Sequence, residues 1–156
     1  MEKLKYFILI LLTATVLMVG LTGCNQSNSP DGVDINEKPI HISQYKGKWI
    51  VLNYWAIWCK PCLEELPELD KLSKNHQDKV AVLGVSFDSL SNDDISTFSK
   101  SLGLTFPMLM SFDLEKFGVN NVSTLPVTFL FSPDGKLVKT LNGPQTEAGL
   151  LKEMAL

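Results

Sequence analysis

Trp49-Ile50-Val51-Leu52-Asn53-Tyr54-Trp55, followed after Ala56-Ile57 by Trp58-Cys59-Lys60-Pro61-Cys62, is the stretch that decides the fold. Its first seven residues are almost continuously apolar and β-forming, the pattern of a strand buried on both faces. From Lys60 to about Asn75, Leu63, Leu66, Leu69 and Leu72 recur every three residues while Glu64, Glu68, Lys71 and Lys74 share the opposite side. That spacing predicts an amphipathic helix, with Pro67 inside it as an expected kink. The two cysteines therefore lie where a buried strand hands over to a helix. At a helix N-terminus the unpaired N–H groups and the macrodipole favour an anion, so the thiolate of Cys59 is stabilised there. Pro61 suits the first turn, and Lys60 adds a positive charge beside both sulfurs. Cys62, one turn inward, is placed to resolve a mixed disulfide. An inert disulfide and half of a zinc site are the alternatives, and zinc would need two more ligands from His41, His76 or scattered carboxylates.

Working outward, Val80 to Phe87 (VAVLGVSF) predicts a second buried strand. Ser91 and Asn92 with two aspartates predict a capped helix whose apolar stripe is Ile95, Phe98 and Leu102, stopped at Gly103. Leu104 to Met110 predicts a short strand broken at Pro107, and Leu114 to Phe117 a turn of helix. Val127 to Phe131 leads into Ser132-Pro133-Asp134-Gly135, a hairpin signal, and Leu137 to Leu141 pairs back. Thr146 caps a last helix through Met154. On the N-terminal side, Ile40 and Ile42 flank His41 in a short alternating stretch, and Lys46-Gly47-Lys48 makes a turn. This order of elements predicts an α/β layer fold with helices on both faces.

The chain has 156 residues, 45% hydrophobic and 20% charged, which suits one domain plus an appendage. Its net charge is -3, and the basic residues, all Lys, are scattered, so nothing points to nucleic acid. Residues 1–23 read as a targeting segment, with Lys3 and Lys5 ahead of an apolar run from Tyr6 to Val19. Leu21-Thr22-Gly23-Cys24 resembles the bacterial lipobox, in which the cysteine is acylated and becomes the mature N-terminus. Acylated Cys24 would hold the chain on a bilayer without crossing it. Residues 24–37, rich in Asn, Ser, Pro, Asp and Gly, then read as a lipid-anchored flexible tether, and residues 38–156 as the folded domain. Lipid on Cys24 would also account for the odd cysteine.

The segment Asn53 to Pro67 (NYWAIWCKPCLEELP), with Thr124-Leu125-Pro126-Val127-Thr128-Phe129-Leu130, resembles the thioredoxin superfamily. More narrowly it is similar to the TlpA/ResA-type membrane-attached thiol-disulfide oxidoreductases, over roughly the whole domain. The resemblance implies a thioredoxin-like fold with a central mixed β-sheet. It implies a cis bond before Pro126, facing the cysteines, with backbone groups of Leu125 free to pair with an incoming peptide. It also picks out Glu65, because the family pattern places a glutamate three residues after the second cysteine and a proline two further on. A partly buried carboxylate there has a raised pKa and can shuttle a proton to or from a buried thiol. Cytoplasmic thioredoxins carry a buried aspartate six residues before the first cysteine; here Asn53 stands there, which leaves Glu65 as the carboxylate of the motif.

The function expected is extracytoplasmic thiol-disulfide exchange, with Cys59 attacking and Cys62 resolving, and Trp58 offering an apolar contact to clients. The resemblance implies a reductase of exported proteins, apocytochromes c among the candidate clients, fed by a membrane electron donor. No nucleotide, haem or metal motif is present, so the redox-active disulfide is the whole chemical equipment expected. An oxidase or isomerase of the same fold and a thiol peroxidase are the alternatives, the latter lacking its usual Pro and Thr pattern before the cysteine. A binding module without catalysis is a further one.

Overall fold

Seven strands form one mixed sheet in the order β2-β1-β5-β4-β3-β6-β7. The computed structural model describes residues 29–156; the expected targeting segment, Cys24 and the first part of the expected tether lie outside the described residues. The strands are β1 (Gly32–Asp34), β2 (Pro39–Ile40), β3 (Trp49–Trp55), β4 (Val80–Ser86), β5 (Met108–Phe112), β6 (Val127–Phe131) and β7 (Leu137–Asn142). The α-helices are α1 (Lys60–Asn75), α2 (Asn92–Ser101) and α3 (Glu147–Glu153), and 3-10 turns span Ile42–Tyr45 and Leu114–Phe117. β3 is the central strand, parallel to β4 and antiparallel to β6. Six of its seven residues are buried because both of its faces are covered.

Alternation along β3 separates two cores. Val51 and Trp55 point to one, where they meet Leu66, Leu69 and Leu72 of α1, Ile95 of α2 and Leu150 and Met154 of α3. Ile50, Leu52 and Tyr54 point to the other, where the cover is Ile42, Leu114, Phe117 and strand residues such as Phe129 and Phe131. Helix thus covers both faces, but unequally: all three α-helices sit on one side and the two 3-10 turns on the other. Full burial of each α1 leucine contributes about 2 kcal/mol. Gly84 sits where β4 is crowded, since a Cβ there would lie 2.8 Å from Met108 Sδ and 3.0 Å from the Phe106 ring.

The caps form as the sequence predicts. Ser91 Oγ accepts from the Asp94 N–H at 3.2 Å and Thr146 Oγ1 from the Gly149 N–H at 3.1 Å. In the hairpin, Gly135 takes a left-handed φ of 82° and donates to the Ser132 carbonyl at 2.8 Å.

Three local expectations change. The sheet begins at Gly32, not at residue 38: β1 pairs with β5 through backbone groups, within the segment read as tether. β5 starts after Pro107 instead of being broken by it, the residue without an N–H falling just outside the strand. In α2, Ile95 is buried but Leu102 is exposed, because the helix ends at Ser101 and Leu102 is its C-cap; Ser99 takes the inward position. Pro67 lies inside α1 as the pattern placed it, on the exposed side of the helix.

Candidate active site

Cys59 is the N-cap of α1, held in an extended conformation with its N–H donated to Ala56 O at 3.1 Å. Its sulfur accepts the Cys62 N–H at 3.3 Å, one of the helix-terminal donors that would otherwise lack a partner. Cys59 and Cys62 form a disulfide with Cα atoms 5.3 Å apart. Cys59 is 5% exposed and Cys62 wholly buried, so only the first sulfur is within reach of a partner. Lys60 is fully solvated and lies 3.9 Å from Glu64, which leaves its charge only a weak influence on the pair.

The outer rim is held by a residue the sequence did not single out. Asp88, just after β4, accepts the Trp58 indole N–H at 2.5 Å and the Ile57 N–H at 2.9 Å. The Phe87 N–H donates to Trp55 O at 2.8 Å, so the loop after β4 is tied to the loop that carries the cysteines. This leaves Ile57, Trp58 and Phe87 exposed, Trp58 most of all at 66%. On the other side, the Leu125–Pro126 peptide is cis. Because Val127 pairs with Tyr54, Pro126 stands level with Trp55, at the end of β3 that delivers Cys59. Pro126 is buried and Leu125 half-buried, touching both cores.

Beneath the disulfide the environment is polar but closed. Glu65 is 1% exposed, on the inward face of α1 one turn after Cys62, where residues three apart have Cβ atoms about 5–6 Å from each other. Its Oε1 accepts from Asn53 Nδ2 at 2.8 Å and its Oε2 from the Gln145 N–H at 2.8 Å. Asn53 Nδ2 also donates to Thr128 Oγ1 at 3.0 Å across the β3–β6 pair. Burial pushes the Glu65 carboxyl up to about 7, and the Gln145 and Asn53 donors only partly oppose it. The neighbouring Glu64 is exposed, and Glu68 is engaged by Lys71 and the Glu147 N–H. Gln145 acts through its main chain, which has no sequence signature. Among the described residues no group of three or more His, Cys, Asp and Glu side chains could hold a metal ion.

A strand-to-helix cysteine pair opposite a proline at the head of a neighbouring strand defines a thioredoxin-like dithiol/disulfide protein. Residues 26–140 match the AhpC/TSA family, and the chain belongs to that family. It is 37% identical over 125 residues to thiol-disulfide oxidoreductase ResA of Bacillus subtilis, covering 78% of this chain and 69% of that protein. It is 32% identical to the thioredoxin-like protein YneN of the same organism, covering 90% and 93%. Among solved structures, the exposed lipoprotein thioredoxin of Streptococcus pneumoniae superposes with a TM-score of 0.65 at 31% identity, covering 80% of this chain and 96% of the other. StoA from Bacillus subtilis gives 0.64 at 30% identity, covering 80% and 94%. The protein is a thiol-disulfide oxidoreductase whose redox chemistry resides in a cysteine pair without a separate cofactor.

Proposed function

We propose that this protein is an extracytoplasmic disulfide reductase, held on a membrane by lipid at Cys24 and acting on exported proteins. The observation that carries the reading is the asymmetry of the pair: Cys59 at the helix N-cap, near the surface, and Cys62 sealed beside a buried carboxylate. Reduced Cys59 attacks a client disulfide as thiolate, forming a mixed disulfide while one client sulfur leaves and takes a proton. Glu65 accepts the Cys62 proton, and Cys62 attacks the Cys59 sulfur and expels the second client thiol. Two electrons pass to the client, and the Cys59–Cys62 disulfide is left for the dithiol of a membrane donor to reduce. Trp58, Leu125 and Pro126 supply the client surface, an extended segment pairing with the Leu125 backbone. Apocytochromes c awaiting haem are one client class to test.

The resemblance of the motifs to the TlpA/ResA-type proteins supports the reducing direction, and so does the site. An ionised Glu65 beside the pair disfavours a second thiolate, which lowers the reduction potential. The expected potential lies nearer the thioredoxin value of about -270 mV than the DsbA value of about -120 mV. Equilibration with dithiothreitol or glutathione, followed by tryptophan fluorescence, measures it; a value above about -180 mV would turn the reading to an oxidase or isomerase. The anchor is tested separately by palmitate labelling, which Cys24→Ala should abolish. The similarity to an exposed lipoprotein thioredoxin supports that arm.

A further inference from the structure

We propose that Asn53 is a positioning residue for the Glu65 proton, its side-chain amide reversing when that proton arrives or leaves. The inference rests on the reading of Glu65 as the proton carrier of the cysteine pair.

It follows from what each partner of Glu65 is able to do. Oε2 faces the Gln145 main-chain N–H at 2.8 Å, and a main-chain N–H only donates. That oxygen is an acceptor in both protonation states, so the proton resides on Oε1. Oε1 faces Asn53 Nδ2 at 2.8 Å, a donor that suits the carboxylate and opposes the acid. Asn53, however, carries its own remedy. The residue is wholly buried, and its Oδ1 has no hydrogen-bond partner. A half-turn of the amide brings this unused acceptor to where Nδ2 stood, opposite both Glu65 Oε1 and Thr128 Oγ1. The Glu65 O–H then donates to Oδ1. Thr128 adapts without moving, because a hydroxyl that accepts from Nδ2 at 3.0 Å in one state can donate to Oδ1 in the other.

The observed arrangement leaves Oδ1 unpaired and the reversed one leaves the Nδ2 hydrogens unpaired, so the reversal occurs only when the Glu65 O–H needs an acceptor, and the proton selects between them. Among the described residues no other charge competes for that choice. The inward residues of β3 and β6 at this level, Asn53 and Thr128, are neutral. On α1 the titratable neighbours are Cys62, in the disulfide, and Glu68, paired with Lys71. At the start of α3, Glu147 is engaged by His76 and Asn75, and on β7 Lys139 is paired with Glu153 of α3. Burial holds Glu65 near neutrality, so both states are populated in ordinary working conditions.

The test is a titration of the oxidised protein from about pH 5 to 9 by NMR, following the Glu65 carboxyl carbon and the Asn53 side-chain amide together. The Asn53 amide protons should lose their hydrogen-bonded shift on acidification, with the same midpoint as the Glu65 carboxyl. Asn53→Leu should raise that midpoint by about one pH unit, because the carboxylate loses its donor on Oε1. Amide resonances that stay fixed through the Glu65 titration would overturn the reversal, whatever the variant does. The two readings fail separately. Unchanged exchange rates in Glu65→Gln with coincident titrations would overturn the proton-carrier role alone, and slowed exchange with a fixed amide would overturn the reversal alone.

Discussion

Helix α1 buries two acids, Glu65 in its first half and Asp70 in its second, and their surroundings differ in depth of burial and in the presence of a cation. Asp70 is 7% exposed, accepts from the Thr105 N–H at 2.7 Å and the Thr105 hydroxyl at 2.8 Å, and is ion-paired with Lys74. Burial alone would push its carboxyl up, but Lys74 and Thr105 outweigh burial and hold it below the usual value. Glu65 is buried more deeply at 1% exposed, accepts a similar pair of neutral donors and has no cation beside it among the described residues, so burial wins and its carboxyl rises to about 7. Two buried acids on one helix are thus given different work. The one with a cation fastens α1 to the segment before β5, and the one without, on the proposed mechanism, keeps a proton available beneath Cys62.

The largest effect should come from making Glu65 permanently neutral. Its folded value is raised from 4.5 to about 7, so between those values the folded chain holds a proton that the unfolded chain has released. The stability this group contributes is therefore complete below 4.5 and is lost as pH rises through 7. The loss is at most about 3 kcal/mol. Denaturant unfolding at pH 5 and pH 9 should show a fall in the wild-type midpoint that Glu65→Gln abolishes, accompanied in that variant by slower thiol exchange.

Asp70→Ala sharpens the contrast from the other side. It should cost about 1 kcal/mol at neutral pH by removing the Thr105 hydrogen bonds and the Lys74 ion pair, the exposed Thr105 donors turning to water instead. The Asp70 contribution has the opposite sign of pH dependence, present above the ordinary carboxylate value of 3.8 and lost on acidification below it. Urea unfolding checks the cost, while exchange rates and reduction potential should stay at wild-type values; a changed potential would deny the division of labour. Lys60→Gln, at a solvated charge on the first turn, should move the potential by less than about 20 mV in the same equilibration assay.

Much of the fold was legible because it rests on side-chain periodicity. The run Trp49 to Trp55 and the leucines of Lys60 to Asn75 became β3 and α1 with the bounds the pattern implied. β1 was not legible because a strand of three residues paired by its backbone leaves little trace in composition; Gly32 approaches β5 so closely that a Cβ would lie 2.7 Å from Ser111 O. In the site, the cysteines stood out by position, whereas the cis Leu125–Pro126 bond and the burial of Glu65 were expected only through family resemblance. Asp88 and Gln145 stayed hidden for a shared reason. One is a loop carboxylate and the other a main-chain donor, and each reaches the site from a distant part of the chain.

The way the N-terminal segment enters the sheet has a consequence for reach. Gly32 pairs with Phe112 at the C-terminal end of β5, and β5, β4 and β3 run parallel, so the chain enters at the same end of the sheet from which Cys59 projects. Lys116 fixes this point of entry, donating to the Ser29 and Pro30 carbonyls, each at 2.8 Å, beside Asp31. With three strand spacings between β1 and β3, the leash and the disulfide are about 14 Å apart laterally. On the lipid-anchor proposal, the segment from Cys24 to Asp31 would span at most about 25 Å when fully extended. The disulfide would then patrol a thin layer next to the bilayer, where a membrane-bound dithiol is confined as well, and electron delivery would become a search in two dimensions.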